Sequence, residues 1–150
     1  MKKYFILLGF ILCAQLVWCQ DSLVQVIRHD VDSILQKIEQ EPDENLRLDL
    51  ILSIYKTRIE GYPLLVIEIA QKLFKISQRI EDPISETASW SFYGQGYRLS
   101  GNYIKGLECH HKAVAIAEST GNKSLLAIAQ NQMAHIYKDR EEYEIGRAHV

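Results

Sequence analysis

The feature that most constrains this chain is a repeat with a period of forty residues. Tyr97 and Tyr103 recur forty positions later as Tyr137 and Tyr143. Other residues match at the same spacing: Gly61 with Gly101, Ile67 with Leu107, Glu68 with Glu108, Lys72 with Lys112, Ile76 with Ile116, and Gly94 with Ala134. A fixed period of roughly 20–50 residues is typical of chains built from stacked, similar units. We therefore expect an array of such units.

Each unit has the periodicity of α-helices. Apolar residues recur on one helical face between Leu64 and Ile76, and again between Leu107 and Ala117. The chain lacks the apolar–polar alternation of half-buried strands. We predict seven helices, at residues 22–40, 44–60, 63–80, 84–99, 102–119 and 122–139, with the start of another at Tyr143.

Local signals mark where these helices begin and end. Asp43 is suited to cap the helix that follows Pro42. Pro63 and Pro83 fit the first turns of their helices, where a missing N–H costs nothing. Gly101 is expected at a turn with positive φ, and Gly121 with Asn122 is expected to end a helix. Gly94 is expected where two helices approach closely, and Gly96 has no role in this pattern.

The first residues have the layout of a secretory signal peptide. Lys2 and Lys3 precede an almost continuously apolar run from Tyr4 to Trp18, which is short for a membrane span. We predict that residues 1–20 are an export signal, which would place the protein on the periplasmic or extracytoplasmic side of a bacterial membrane. A buried first helix is an alternative. Lipidation at Cys19 is less favoured, because Trp18 is bulky where the lipoprotein signal needs a small residue.

The last residues break the helical pattern. The segment EIGRAHV puts Gly, Arg and His where an apolar face should begin, and it resembles the translation of a common sequencing-library adapter. We therefore predict that residues 145–150 are not native, the alternative being a genuine short tail. The remaining chain divides into a capping helix at 21–41 and units at 42–82, 83–121 and 122–144, the last of them truncated.

The unit at residues 88–121 resembles the tetratricopeptide repeat. That family carries Trp, Leu-Gly and Tyr on a first helix, a Gly-x-Tyr turn, and Ala, an aromatic residue and Ala on a second helix. The matching residues are Trp90, Tyr93, Gly94, Tyr97, Gly101, Tyr103, Gly106, His110 and Ala113, with Gly61, Tyr137 and Tyr143 in the flanking units. Tyr93, Gly106 and His110 depart from the usual residues. The forty-residue period is similar to that of a longer-helix branch of the family.

The resemblance implies an all-α, right-handed solenoid of stacked antiparallel helix pairs. It also implies a non-catalytic scaffold that binds a protein or peptide. An alternative is the sensory N-terminal part of a membrane histidine kinase or transcription regulator, whose output domain would follow residue 144. Membrane association would then arise only through a downstream span or through a lipid on Cys19.

In this family the first helix of each pair lines a concave binding groove. Carried over to this chain, the groove-facing positions form three rows: Tyr55, Gln95 and His135; Arg58, Arg98 and Lys138; Ile51, Ser91 and Asn131. The second row is basic in all three units. One hypothesis is a basic ladder that binds the carboxylates or backbone of a peptide. The favoured alternative is a solvated face.

The residues give little support for nucleic-acid binding, a dinucleotide site or a metal site. A formal net charge of −2 gives no bulk attraction to nucleic acid. The glycines of GQGYRLSG lack the preceding strand and the spacing of a dinucleotide loop. Cys109, His110 and His111 are adjacent on a helix, where they cannot share one tetrahedral metal ion without distant partners. We expect His110 to be packed and His111 to be solvated. No catalytic residue, metal or cofactor is predicted.

Overall fold

A computed structural model describes the backbone of residues 2–57, 59 and 61–148, and the side chains of residues 21–57, 59 and 61–141. Within this part the chain forms helices and no strand. The six helices are α1 Lys2–Gln40, α2 Glu44–Tyr55, α3 Pro63–Ile80, α4 Pro83–Leu99, α5 Tyr103–Thr120 and α6 Lys123–Ala148. The all-helical prediction is confirmed. None of the helices in the described segments has both the length and the apolar character that a membrane crossing needs.

The predicted helix-boundary signals are confirmed at most positions. The Asp43 carboxylate accepts the N–H groups of Asn45 and Leu46 at 2.9 and 3.0 Å. Pro63 begins α3, and Pro83 begins α4. Helix α5 ends at Gly121, whose φ of 69° is in the left-handed region that glycine tolerates best. The Gly101 turn has a φ of 76°.

Three helix predictions are wrong. The first helix begins at Lys2 instead of residue 22. Helix α2 ends at Tyr55 instead of residue 60, because tight turns follow: the Ile59 N–H donates to Thr57 at 2.8 Å, and the Ile59 side chain becomes 99% buried. No new helix begins at Tyr143, because α6 continues without a break to Ala148. Residues 139–145 contain neither proline nor glycine, so nothing local ends the helix.

The predicted terminal segments remain predictions. Helix α1 runs through the expected signal boundary, while the side chains of residues 1–20 lie outside the described part, as do those of residues 142–150. The Tyr143 side chain and the segment at 145–150 are therefore not tested.

Helix α4 lies between α3 and α5 and runs antiparallel to both. Its start faces the end of α3, where Trp90 meets Phe74 at a ring-centroid distance of 5.6 Å. Its end faces the start of α3, because a Cβ atom on Gly96 would lie 2.5 Å from the Ile67 side chain. Gly96 therefore permits the close contact of α3 with α4, a role that the repeat pattern did not reveal. On the other side, Gly94 faces His110 of α5.

Helices α1 and α3 run parallel, offset by one repeat period. Three ion pairs join residues forty positions apart: Arg28 with Glu68 at 2.8 Å, Asp32 with Lys72 at 2.7 Å, and Glu39 with Arg79 at 2.6 Å. Residue numbers rise together along both helices, which requires a parallel arrangement. The period found in the sequence is thus also the spacing of contacts between equivalent helices.

Reversing one charge in the Glu39–Arg79 pair should test this register. We expect Glu39→Arg and Arg79→Glu each to lower the free energy of unfolding by about 0.2–1 kcal/mol, since both side chains are partly exposed. The double variant should recover the loss. A double-mutant cycle in urea measures the coupling, and zero coupling would contradict the parallel offset of α1 and α3.

The core lies along the helix interfaces. The largest fully buried apolar side chains come from α1 to α4 and α6: Val31, Ile38, Ile51, Ile54, Val66, Ile69, Leu73, Phe92, Leu125 and Ile136, together with Ile59 from the turn after α2. Phe92 stacks on Tyr55, which joins α4 to α2. Arg47 of α2 also pairs with the buried Asp82 that caps α4, at 3.2 Å.

Candidate binding groove

The described members of the three predicted rows lie on helices that are neighbours in space, in the order α2, α4, α6. The rings of Tyr55 and Phe92 stack with centroids 4.2 Å apart, which joins α2 to α4. Arg98 of α4 donates a hydrogen bond to Asp139 of α6 at 2.6 Å. The predicted juxtaposition of these helices is therefore present. Arg58 lies outside the described residues.

The rows run from buried positions on α2 and α4 to exposed positions on α6. Ile51, Ser91 and Gln95 are each at least 96% buried, so this part of the row lies inside the helix packing and not on a solvated face. Asn131, His135 and Lys138 are the α6 members, and all three are exposed.

Two buried amide oxygens along these helices, Gln95 Oε1 and Gln132 Oε1, have no hydrogen-bond partner in the described part of the chain. The Tyr55 hydroxyl is also buried, and burial raises its pKa, an effect that a hydrogen bond with the Ser91 side chain offsets only in part. A buried polar group without a partner costs on the order of 1–3 kcal/mol, so each calls for an explanation.

Arg98 is not a free cation. Its guanidinium forms an ion pair with Asp139, and its side chain is only 17% exposed. The Nε atom of Arg98 is buried and has no partner among the described residues. The basic row predicted for a peptide carboxylate is thus neutralised at its α4 position, and Lys138 is its exposed member.

The repeat-signature residues take different roles. Ala113 is fully buried, Tyr103 is half-buried, and a side chain at Gly61 would meet open space. Trp90 and Tyr97 are half-buried on α4, on a face that is described below. Tyr137, one period after Tyr97, is 52% exposed.

The segment Cys109–His111 contains two buried side chains and one exposed side chain. His110 is fully buried, and burial, with Arg98 and His111 nearby, lowers its pKa to about 4. Burial raises the pKa of Cys109, which keeps it a neutral thiol and a poor nucleophile near pH 7. His111 is exposed as expected. Among the described residues, no group of three or more His, Cys, Asp or Glu side chains could hold a metal ion.

Sequence reasoning missed two residues of this region. Asp139 neutralises Arg98, and Gln132 contributes a buried oxygen at the position one period after Phe92. A search for opposite charges one period apart would have found the α1–α3 pairs. Widening the search by one position would have found Asp139, which lies 41 positions after Arg98.

Comparison with known proteins does not assign the chain to a family. No protein-family model matches the chain, and no curated protein or solved structure matches it.

Proposed function

We propose that this protein is a non-catalytic scaffold that binds a peptide or an extended protein segment. In this proposal the helices form a right-handed solenoid of antiparallel pairs, similar to tetratricopeptide repeats. The ion pairs that join α1 to α3 at a spacing of forty residues support a stacked repeat. The antiparallel packing of α4 against α3 and α5 supports the helix pairs.

The unpaired oxygens of Gln95 and Gln132 are the observation that carries the proposal. They lie on α4 and α6, two of the three helices expected to line a groove. A peptide backbone presents an N–H donor at nearly every residue. Because both oxygens are buried in the unbound chain, the proposal requires α4 and α6 to move apart so that such donors can reach these acceptors. In the bound state the cost of burying the oxygens unpaired would be offset. Because these oxygens lack hydrogen-bond donors, the groove floor favours a ligand with many backbone N–H groups over an apolar ligand.

The exposed residues of α6 would form the rim of this groove. Asn131 and His135 can donate or accept hydrogen bonds, and Lys138 adds a positive charge for an acidic peptide side chain. The proposal places the scaffold outside the cytoplasm, on the strength of the leader-like run from Lys2 to Trp18.

Replacing Gln95 with leucine should have opposite effects on stability and on peptide affinity. Leucine is similar in volume and removes the unpaired oxygen, so we expect the free energy of unfolding to rise by about 1 kcal/mol. The same change should weaken peptide binding by about tenfold, since an acceptor on the groove floor is lost. Short displayed peptides are selected on the unaltered chain, and a selected synthetic peptide is then titrated by fluorescence anisotropy.

Gln78→Leu is the matched control, because Gln78 is exposed on α3. It should change neither stability nor affinity appreciably. The proposal fails if selection yields no consensus sequence, or if the selected peptide binds the folded Gln95→Leu variant as tightly as the unaltered chain.

A further inference from the structure

A second concave site lies between α3 and α5, with α4 as its floor. This cleft has a volume of about 400 Å³. Trp90, Tyr93 and Tyr97 of α4 line it, together with Phe74 of α3 and with Lys105 and Lys112 of α5. All four aromatic side chains are half-buried, so part of each ring remains accessible. The volume is within the range of about 300–1,000 Å³ that is typical of small-molecule sites.

The cleft and the proposed groove lie on opposite sides of α4. Gln95 is two residues from both Tyr93 and Tyr97, which places it about 160° from each of them around the helix. Helices α3 and α5 flank α4 through Gly96 and Gly94 respectively. The cleft is therefore separate from the groove, and a ligand in one site would not touch the floor of the other.

The equivalent crevice between α1 and α3 differs from this cleft in its charges. In that crevice Asp32 pairs with Lys72, and Arg28 with Glu68. One period later the equivalent residues are Glu68 with Glu108 and Lys72 with Lys112, which carry like charges. Like charges cannot form the ion pairs that join α1 to α3.

Two lysines of α5 lie above the aromatic floor of the cleft. The Lys112 ammonium lies 4.2 Å from the centre of the Trp90 ring, and that of Lys105 lies 5.6 Å from the centre of the Tyr97 ring. Within the described side chains, neither ammonium has a carboxylate oxygen within 4.0 Å. The lysines are seven residues apart on α5, so they are separated by about 10 Å along the helix axis.

We propose that this cleft binds a small aromatic carboxylate. A flat ring would pack against the accessible faces and edges of Tyr93 and Tyr97, where offset or edge-to-face contacts are favourable. The carboxylate would form a charge-assisted hydrogen bond with Lys105 or Lys112. Glu108 lies between the two lysines on the cleft wall and would repel an anion placed at the centre. The carboxylate therefore belongs at one end of the cleft and the ring in the middle.

Titration of the full chain with 1-naphthylacetate tests this site, with 1-naphthylacetamide as a neutral probe of the same shape. By isothermal titration calorimetry we expect the acid to bind at least about tenfold more tightly than the amide. The preference should shrink as salt rises, because the lysines are exposed to solvent. This comparison requires no variant.

The double variant Lys105→Met, Lys112→Met should bind the acid no better than the amide, because methionine keeps an apolar stem and removes the charge. Lys123→Met is the matched control, since Lys123 is exposed at the start of α6 and does not line the cleft. It should keep the full preference. Equal binding of acid and amide by the unaltered chain overturns the proposal, and so does an unchanged preference in a folded double variant. Peptide binding in the groove is measured separately, so its failure would be distinguishable from failure here.

Discussion

Replacing Gly94 with leucine should destabilise the folded chain by roughly 1–3 kcal/mol or more. Even the first added atom has no room, because a Cβ on Gly94 would lie 2.5 Å from both Cε1 and Nε2 of His110. The His110 ring is fully buried and cannot move into solvent. Helices α4 and α5 would have to separate, and the core contacts between them would loosen. Urea unfolding of the purified variant measures the loss.

Four further variants serve as controls for this prediction: Gly61→Ala, Gly94→Ala, His110→Ala and the double variant of the last two. Gly61→Ala should be close to neutral, because a Cβ there would meet nothing within 4 Å. Gly94→Ala should be harmful alone and much less so in combination with His110→Ala, which removes the ring that it strikes. Additive losses in that double variant would mean that the helix contact does not depend on this pair.

The stability of the chain should fall as the pH drops from about 6.5 to about 4, because of His110. The pKa of His110 is lowered from 6.5 to about 4 in the folded chain, chiefly because burial disfavours the charged ring. In this window the unfolded state binds more protons than the folded state, so the free energy of unfolding rises with pH. The difference amounts to about 3 kcal/mol, which is fully present above pH 6.5 and lost progressively below it.

His110→Leu isolates this contribution. Leucine does not titrate and has a similar volume, and it removes two ring nitrogens that lack partners among the described residues. We expect a flatter dependence of unfolding free energy on pH between 4 and 6.5, with stability at pH 7 equal to or above that of the unaltered chain. Carboxylates titrate in both proteins, so their effect cancels in the difference. Identical pH profiles for the two proteins would refute the assignment.

Helix boundaries were predictable where one residue sets them locally. The predicted bounds of α3 match the observed ones, and those of α4 and α5 agree to within one residue. Pro63, Pro83 and Gly121 begin or end these helices through their own backbone geometry, which the sequence alone reveals. The end of α2 was not predictable. The chain leaves the helix after Tyr55 so that Ile59 can be buried among other helices, and that gain depends on neighbours distant in sequence.

The candidate site was predictable in part. The spacing of Ser91, Gln95 and Arg98 placed them on one side of α4, since residues separated by three, four or seven positions share a helix face. Spacing alone could not tell that Gln95 is buried without a partner, or that Arg98 is neutralised by Asp139. Both facts depend on how closely α2 and α6 approach α4.

By itself, the sequence determined the helices, the forty-residue period and the glycine at the crossing of α4 and α5, because these follow from local backbone preference and recurring residue types. Only the tertiary structure decided which charges meet. Opposite charges one period apart join α1 to α3, whereas Lys105 and Lys112 of α5 lie over the aromatic rings of α4. The sign and distance of facing side chains are properties of a pair of helices, and neither helix determines them alone.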